Sequence, residues 1–300
     1  MAQSPSPAPQ RVPAGFTSDP PFGPLADSGA GNPFFYHEFE DDFDNSLSIT
    51  GAYTLTGGGT GVETPGDGGL VLLSSTAAAS TFATLQLPVA DFTLPPTGIN
   101  PPLTSTTVKK LFYLCRLQLS DVVLSSFVAG LAATSATTFT TGAQTILDGV
   151  FFYKAPSSGQ IQLIANASAG NSPSGSAVSY VLNIPLAAYN LVNATFIDLA
   201  FFIDRNQNLK AFVGNPSLVG YAPQSGSGPV NPVTGVTLNP PAGVAAGLSQ
   251  TFFNQAVTTS PPPYLFTTAV LNPTIGVSNG VTAAAKTMTV DFHCVQKERP

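Results

Sequence analysis

The chain has 300 residues, of which 43% are hydrophobic and 9% charged, and its formal net charge is -6. Phosphate recognition needs clustered Lys and Arg, and Lys109–Lys110 is the only adjacent basic pair, so a nucleic-acid partner is excluded. The 21 phenylalanines make a packed core rather than disorder the expectation for most of the chain. No apolar run reaches about 18 residues and the N-terminus has no apolar signal-like stretch, which predicts no membrane partner and assembly in a cytoplasm.

Residues 1–33 form the first segment, with Pro5, Pro7, Pro9, Pro13 and the pair Pro20–Pro21 among them. Proline at this density favours extended polyproline-like backbone and forbids helix and interior strand. Its apolar residues Val12, Phe16, Phe22 and Leu25 are widely spaced, as separate anchors on a partner surface would be, so the segment is read as an extended arm.

From Phe34 onward short runs of β-branched, Leu and Phe residues alternate with Gly, Pro, Asn and Ser clusters. Strands are predicted at 34–40, 47–55, 69–74, 81–87, 111–120, 149–154, 160–166, 178–184, 195–204, 209–213, 250–256, 264–277 and 286–296. In 195–204, Ile197, Leu199, Phe201 and Ile203 take one face; Leu111, Tyr113, Cys115, Leu117 and Leu119 do the same in theirs. Helical periodicity is nearly absent. Ser120–Ala133, interrupted by Gly130, leaves room for one short helical turn. Prolines break the strand rhythm over 214–263, predicting a long functional loop. The fold class that follows is all-β, a two-sheet antiparallel jelly-roll sandwich over 34–300 with the extended arm before it.

The candidate chemistry is sparse. Glu38, Glu40, Asp42 and Asp44 fall on one face of an extended strand, and alternate residues lie about 6.5–7 Å apart, compatible with the ~5.5 Å of a retaining glycosidase pair. The absence of Trp removes the usual sugar-stacking platform, so the run reads rather as a solvated acidic edge. His293 and Cys294 are strand neighbours that point to opposite faces and cannot share a metal. A Cys115–His293 pair across strands has no accompanying oxyanion motif. The two cysteines allow one bridge at most, and buried free thiols are expected. Asp204–Asn208 begins like a calcium loop but has Leu209 where Gly is required and Asn215 where Glu is, which predicts a hairpin turn. Gly57–Gly61 and Gly66–Gly69 are turns without nucleotide-binding context. The triplets at Asn166 and Asn193 matter only in a secretory pathway. No catalytic residue, cofactor or metal is predicted, and the chain is read as not an enzyme.

Several segments carry a resemblance: FFYHEFEDDFDNSLSIT, GGLVLLSSTAAASTFATLQL, LFYLCRLQLSD, DGVFFYKAPSSGQIQLIA, ATFIDLAFFIDRNQNLKAFVGN and AAAKTMTVDFHCVQKERP. In this order they resemble the laminin-G or concanavalin-like jelly roll of tailed-bacteriophage virion proteins of the capsid cement or decoration type. The missing Trp, the arm and the 214–263 loop depart from that pattern. The resemblance implies a subunit on the capsid exterior that bridges the major capsid protein and neighbouring copies of itself as a dimer or trimer, with Val12, Phe16, Phe22 and Leu25 as partner contacts. The low charge agrees with a surface hidden in an assembly. The alternative is a glycan-binding or adhesion module of a phage tail or fibre; the remote one is a β-sandwich glycosidase using Glu38 and Glu40.

Overall fold

The computed structural model describes residues 36–43, 52–64, 69–88, 92–94, 111–172, 175–185, 192–203, 209–214, 249–253 and 266–298. The expected arm with Val12, Phe16, Phe22 and Leu25, the Asp204–Asn208 turn, Asp44 and most of the 214–263 loop lie outside these residues.

The described chain is built of strands: β1 (Tyr36–Asp41), β2 (Thr54–Thr56), β3 (Thr60–Thr64), β4 (Leu70–Ser74), β5 (Phe82–Gln86), β6 (Phe92–Thr93), β7 (Leu111–Leu119), β8 (Ser126–Ala132) and β9 (Phe139–Thr140). It continues with β10 (Ala143–Gln144), β11 (Gly149–Lys154), β12 (Gln160–Ala167), β13 (Val178–Pro185), β14 (Ile197–Ile203), β15 (Leu209–Gly214), β16 (Ser249–Phe253), β17 (Val270–Ser278) and β18 (Thr287–Glu298). The first sheet has the order β16-β15-β14-β7-β18-β4-β3, and the second β13-β12-β11-β8-β17-β5-β2. All pairings are antiparallel, as the sequence predicts.

Each sheet has a long central strand whose second edge is shared by two partners. In β18, β4 pairs with Thr287–Val290 and β1 with His293–Glu298, and the register slips between Val290 and Phe292. That bulge reverses the phase of the strand, so Met288 and Val290 face inward before it, and His293 and Val295 after it. In β17, β6 pairs with Val270–Leu271 and β5 with Thr274–Ser278; Pro273, which has no N–H, falls between the two.

The sheets face each other across one core. Leu111, Tyr113, Cys115, Leu117, Leu199 and Phe201 of the first sheet meet Phe127, Leu131, Val150, Phe152, Leu163 and Ile275 of the second. Tyr113 stacks on Phe201 at 5.0 Å between centroids, a packing worth about 1 kcal/mol beyond the area it buries.

The second sheet also has a covered outer face. The β9–β10 hairpin lies over Val128, Ala132, Phe151 and Ile164. It is held there by Thr84–Thr138 hydroxyls at 2.6 Å, by Tyr153 Oη donating to Gly142 O and by Asn166 Nδ2 donating to Ile146 O. Asn166 is thus a buried structural amide, not a glycosylation acceptor.

Ser120–Ala133 divides differently from a helix. Asp121 Oδ1 accepts the amides of Val123 and Leu124, and Ser125 N–H reaches Asp121 O, which gives the single helical turn. The rest is β8, whose seven residues are all buried. Gly130 is required there because a Cβ would lie 2.4 Å from the Phe151 Cα across the ladder.

Candidate functional site

Of the acidic run, Glu38 and Glu40 share one strand face as expected, while Asp42 lies past the end of β1 and Asp44 lies outside the described residues. Glu38 and Glu40 stand on the outer face of the first sheet, opposite Gln296 and Cys294, and the Gln296 amide donates to Glu38 Oε1. Asp41 points the other way, into the sandwich, where its Oδ1 accepts the Phe43 amide. The two histidines, distant in sequence, lie on paired strands: His37 opposite Lys297 and His293 opposite Asp41.

His293 is the centre of a buried polar chain. Tyr53 Oη donates to Asp41 Oδ2 and lies 2.9 Å from His293 Nε2. With the Tyr proton committed to Asp41, His293 must carry its proton on Nε2 and donate to Tyr53, which leaves Nδ1 as the bare acceptor; that atom has no partner in the described structure. Phe39 and Phe43 pack on the ring. Burial drives the imidazole pKa down to about 4, against the opposing pull of Asp41.

Cys115 is the direct cross-strand partner of His293, so the pairing considered from sequence does occur in the fold. Its environment is wrong for nucleophilic chemistry. The thiol is fully buried and pushed up to about 12 by desolvation, while the neighbouring imidazole is hard to protonate. Cys294 lies on the opposite side of the sheet; both cysteines are free thiols. Among the described residues, no group of three or more His, Cys, Asp or Glu is placed to hold a metal.

The outer face of the first sheet carries an aromatic and ionic patch. Phe112, Leu114, Ala200, Phe202, Phe292 and Cys294 form one cluster. Beside it Arg116 donates from Nε and Nη2 to the two oxygens of Asp198 at 2.7 and 3.3 Å and from Nη1 to Asp291 at 3.4 Å, with its guanidinium 5.5 Å above the Phe292 ring. Asp198 has no exposed surface, and burial raises its carboxyl pKa despite the guanidinium.

The loops gather at the end of the second sheet where β8 and β12 finish and β11, β13 and β17 begin. Asp148 joins three of them: Oδ1 accepts the Thr267 hydroxyl at 2.6 Å and the Ser168 amide at 3.0 Å, and Oδ2 accepts Asn171 Nδ2 at 3.0 Å. These bonds outweigh the cost of burial and hold the carboxyl below the usual aspartate range. Gly149 follows because a Cβ there would stand 2.4 Å from Leu131 O. Around this latch Thr268 donates to Asn171 O, and Leu147 projects with 71% of its surface exposed. The neighbouring sequence from Ala155 to Ile197 contains no charged residue. The end therefore presents neutral amides and hydroxyls beside an exposed apolar side chain, on loops fixed by one carboxylate, which is chemistry suited to a neutral polyhydroxylated ligand. In the sequence Asp148 is only the head of a strand motif, and nothing there signals its role as a hub.

No protein-family model matches the chain, and no curated protein matches it in sequence. Solved structures do share its fold. Arcelin-5, a lectin-like defence protein from Phaseolus vulgaris, superposes with a TM-score of 0.50 at 8% identity, over 88% of this chain and 99% of arcelin-5. Peanut lectin in complex with a 9-residue peptide gives a TM-score of 0.48 at 9% identity, over 87% and 97% of the two chains. The CBM2 module of the evolved Dit of Lactobacillus casei BL23 phage J-1 gives 0.45 at 10% identity, over 87% and 96%. The chain is an all-β, two-sheet antiparallel jelly-roll sandwich, a fold it shares with arcelin-5.

Proposed function

We propose that this protein is a non-catalytic glycan-binding or adhesion module of a phage tail or fibre, and that its glycan is held at the Asp148 loop end. The observation that carries the reading is the neutral, hydroxyl- and amide-rich loop cluster locked by Asp148 beside exposed Leu147. Architecture supports it, since the jelly roll is shared almost end to end with arcelin-5, a lectin-like protein. The buried state of Cys115 and His293 supports a role without catalysis. A glycan array probed with the full chain, followed by Leu147→Asp and Asn171→Ala variants, tests it. Binding lost in both variants is the expected result, and binding unchanged in both refutes the site.

A second reading, a capsid cement subunit bridging the major capsid protein, rests on the 9% charge content and the proline-rich residues 1–33. Specific attachment to purified shells, with no glycan bound, would favour it.

A further inference from the structure

The β9–β10 hairpin covers only part of the outer face of the second sheet. Among the described residues its layer reaches from β8 across β11 to Ile164 of β12, which is 3% exposed. Val181, the direct partner of Ile164 on β13 and therefore on the same face, is 42% exposed. The hairpin thus ends in a step, with its own layer on one side and a shelf floored by β12 and β13 on the other.

The step is fixed at both ends. Tyr153, the cross-strand partner of Gln162, donates from Oη to Gly142 O at 3.0 Å, and Asn166 Nδ2 donates to Ile146 O at 2.7 Å, next to exposed Leu147. Between these ends the shelf carries three rungs, Gln162–Asn183, Ile164–Val181 and Asn166–Ser179. Gln162 Nε2 donates to Asn183 Oδ1 at 2.9 Å in the first, and Ser179 Oγ to Asn166 Oδ1 at 2.7 Å in the last. The Gln162–Asn183 bond uses neither Gln162 Oε1 nor Asn183 Nδ2, an acceptor and a donor set side by side. From the first rung to the last is four residues of strand, about 13 Å at 3.3 Å per residue.

We propose that this shelf extends the glycan site at the Asp148 loop end, so that the ligand is an oligosaccharide of several neutral sugars and not one terminal sugar. The inference rests on the glycan reading given above. Neither Ala133–Leu147, which forms the step, nor Ala155–Ile197, which forms the floor, contains a charged residue, so the shelf has nothing to set against an ionic chain. A pyranose ring carries hydroxyls around its rim and an apolar C–H face. Amide rungs on either side of the Ile164–Val181 rung meet both, with hydrogen-bonding groups for the rims and an apolar surface between them. The span of the rungs exceeds a single ring, and it runs up to Leu147, where the loop-end site begins.

Isothermal titration of the full chain with a series of oligomers of the best array glycan, from the monosaccharide upward, tests this. The native protein is expected to bind the longer oligomers about tenfold tighter than the monosaccharide, and at least one of Val181→Asp and Gln162→Ala/Asn183→Ala is expected to remove that advantage with the far-UV strand signal kept. Equal affinity at every length in the native chain, or an advantage that persists in both variants, overturns the shelf and leaves the glycan site at the Asp148 end standing. No binding at any length overturns the glycan reading and the shelf with it. A native dimer that Val181→Asp converts to a monomer in sedimentation velocity, with no dependence of affinity on length, overturns the oligosaccharide and assigns the shelf to a second copy of the chain.

Discussion

Replacing Asp148 by Ala removes the acceptor that joins three loops at once. Its carboxylate takes the Thr267 hydroxyl, the Ser168 amide and the Asn171 amide, and the residue is 7% exposed. Hydrogen bonds to a charged group are worth about 1.5–3 kcal/mol each, and the alanine recovers part of that by sparing the carboxylate its desolvation, so the net loss is about 3–5 kcal/mol. Asp148→Asn keeps an oxygen for Thr267 and Ser168 but turns an amide toward the Asn171 amide, which lowers the loss to about 1–2 kcal/mol. Urea unfolding at neutral pH measures both. The effect has a pH signature: the folded carboxyl titrates below the ordinary 3.8, so its stabilisation is complete above that value and disappears as the pH falls through the folded pKa. The gap between native protein and Asp148→Ala must therefore close in strong acid. A variant within about 0.5 kcal/mol of the native protein at pH 7, or a gap independent of pH, refutes the hub.

Arg116→Met leaves Asp198 buried without its bidentate partner, and a loss of about 3–5 kcal/mol is expected by chemical denaturation; Arg116→Met/Asp198→Leu should recover most of it. A double variant as unstable as the single one would contradict this account. His293 gives an acid limb of its own. Its pKa is about 4 in the folded chain against 6.5 in model compounds, so the unfolded chain binds the extra proton between those values. Each tenfold difference in proton affinity between the two states is worth about 1.4 kcal/mol, so stability should fall by about 3 kcal/mol as the pH drops from 6.5 to 4. His293→Phe should flatten that limb in urea titrations across the same range.

Much of the fold was legible because period-2 alternation survives wherever one face meets the core and the other does not. The strands of Leu111–Leu119 and Ile197–Ile203 are cases, and their observed bounds agree with expectation to within two residues. β8 was missed for the opposite reason. Its residues are buried on both sides, by the core and by the β9–β10 hairpin, so Ser126–Ala132 shows no alternation and its Ala and Gly residues imitate a weak helix. β6, β9 and β10 are too short, at two residues each, to carry a period, and β3 has no fully buried residue to mark a core face.

The sites were harder. Which of His293 and Cys294 faces inward depends on the bulge after Val290, a one-residue phase change with no composition signal of its own. The Asp148 hub joins partners 20, 23 and 119 residues away, a convergence that only the sandwich topology creates. Asn166 and Asn193 looked alike as triplets, whereas the fold uses both as loop braces, to Ile146 O and from the Val122 amide.

The central claim is recognition of a neutral glycan without catalysis. Isothermal titration of the full chain against the best array glycan tests it most directly. The account predicts saturable one-site binding with a Kd of about 1 mM or tighter, undiminished by chelator, with the glycan recovered intact and the heat abolished in Leu147→Asp. No binding to any glycan, with specific attachment to capsid shells in its place, would contradict it.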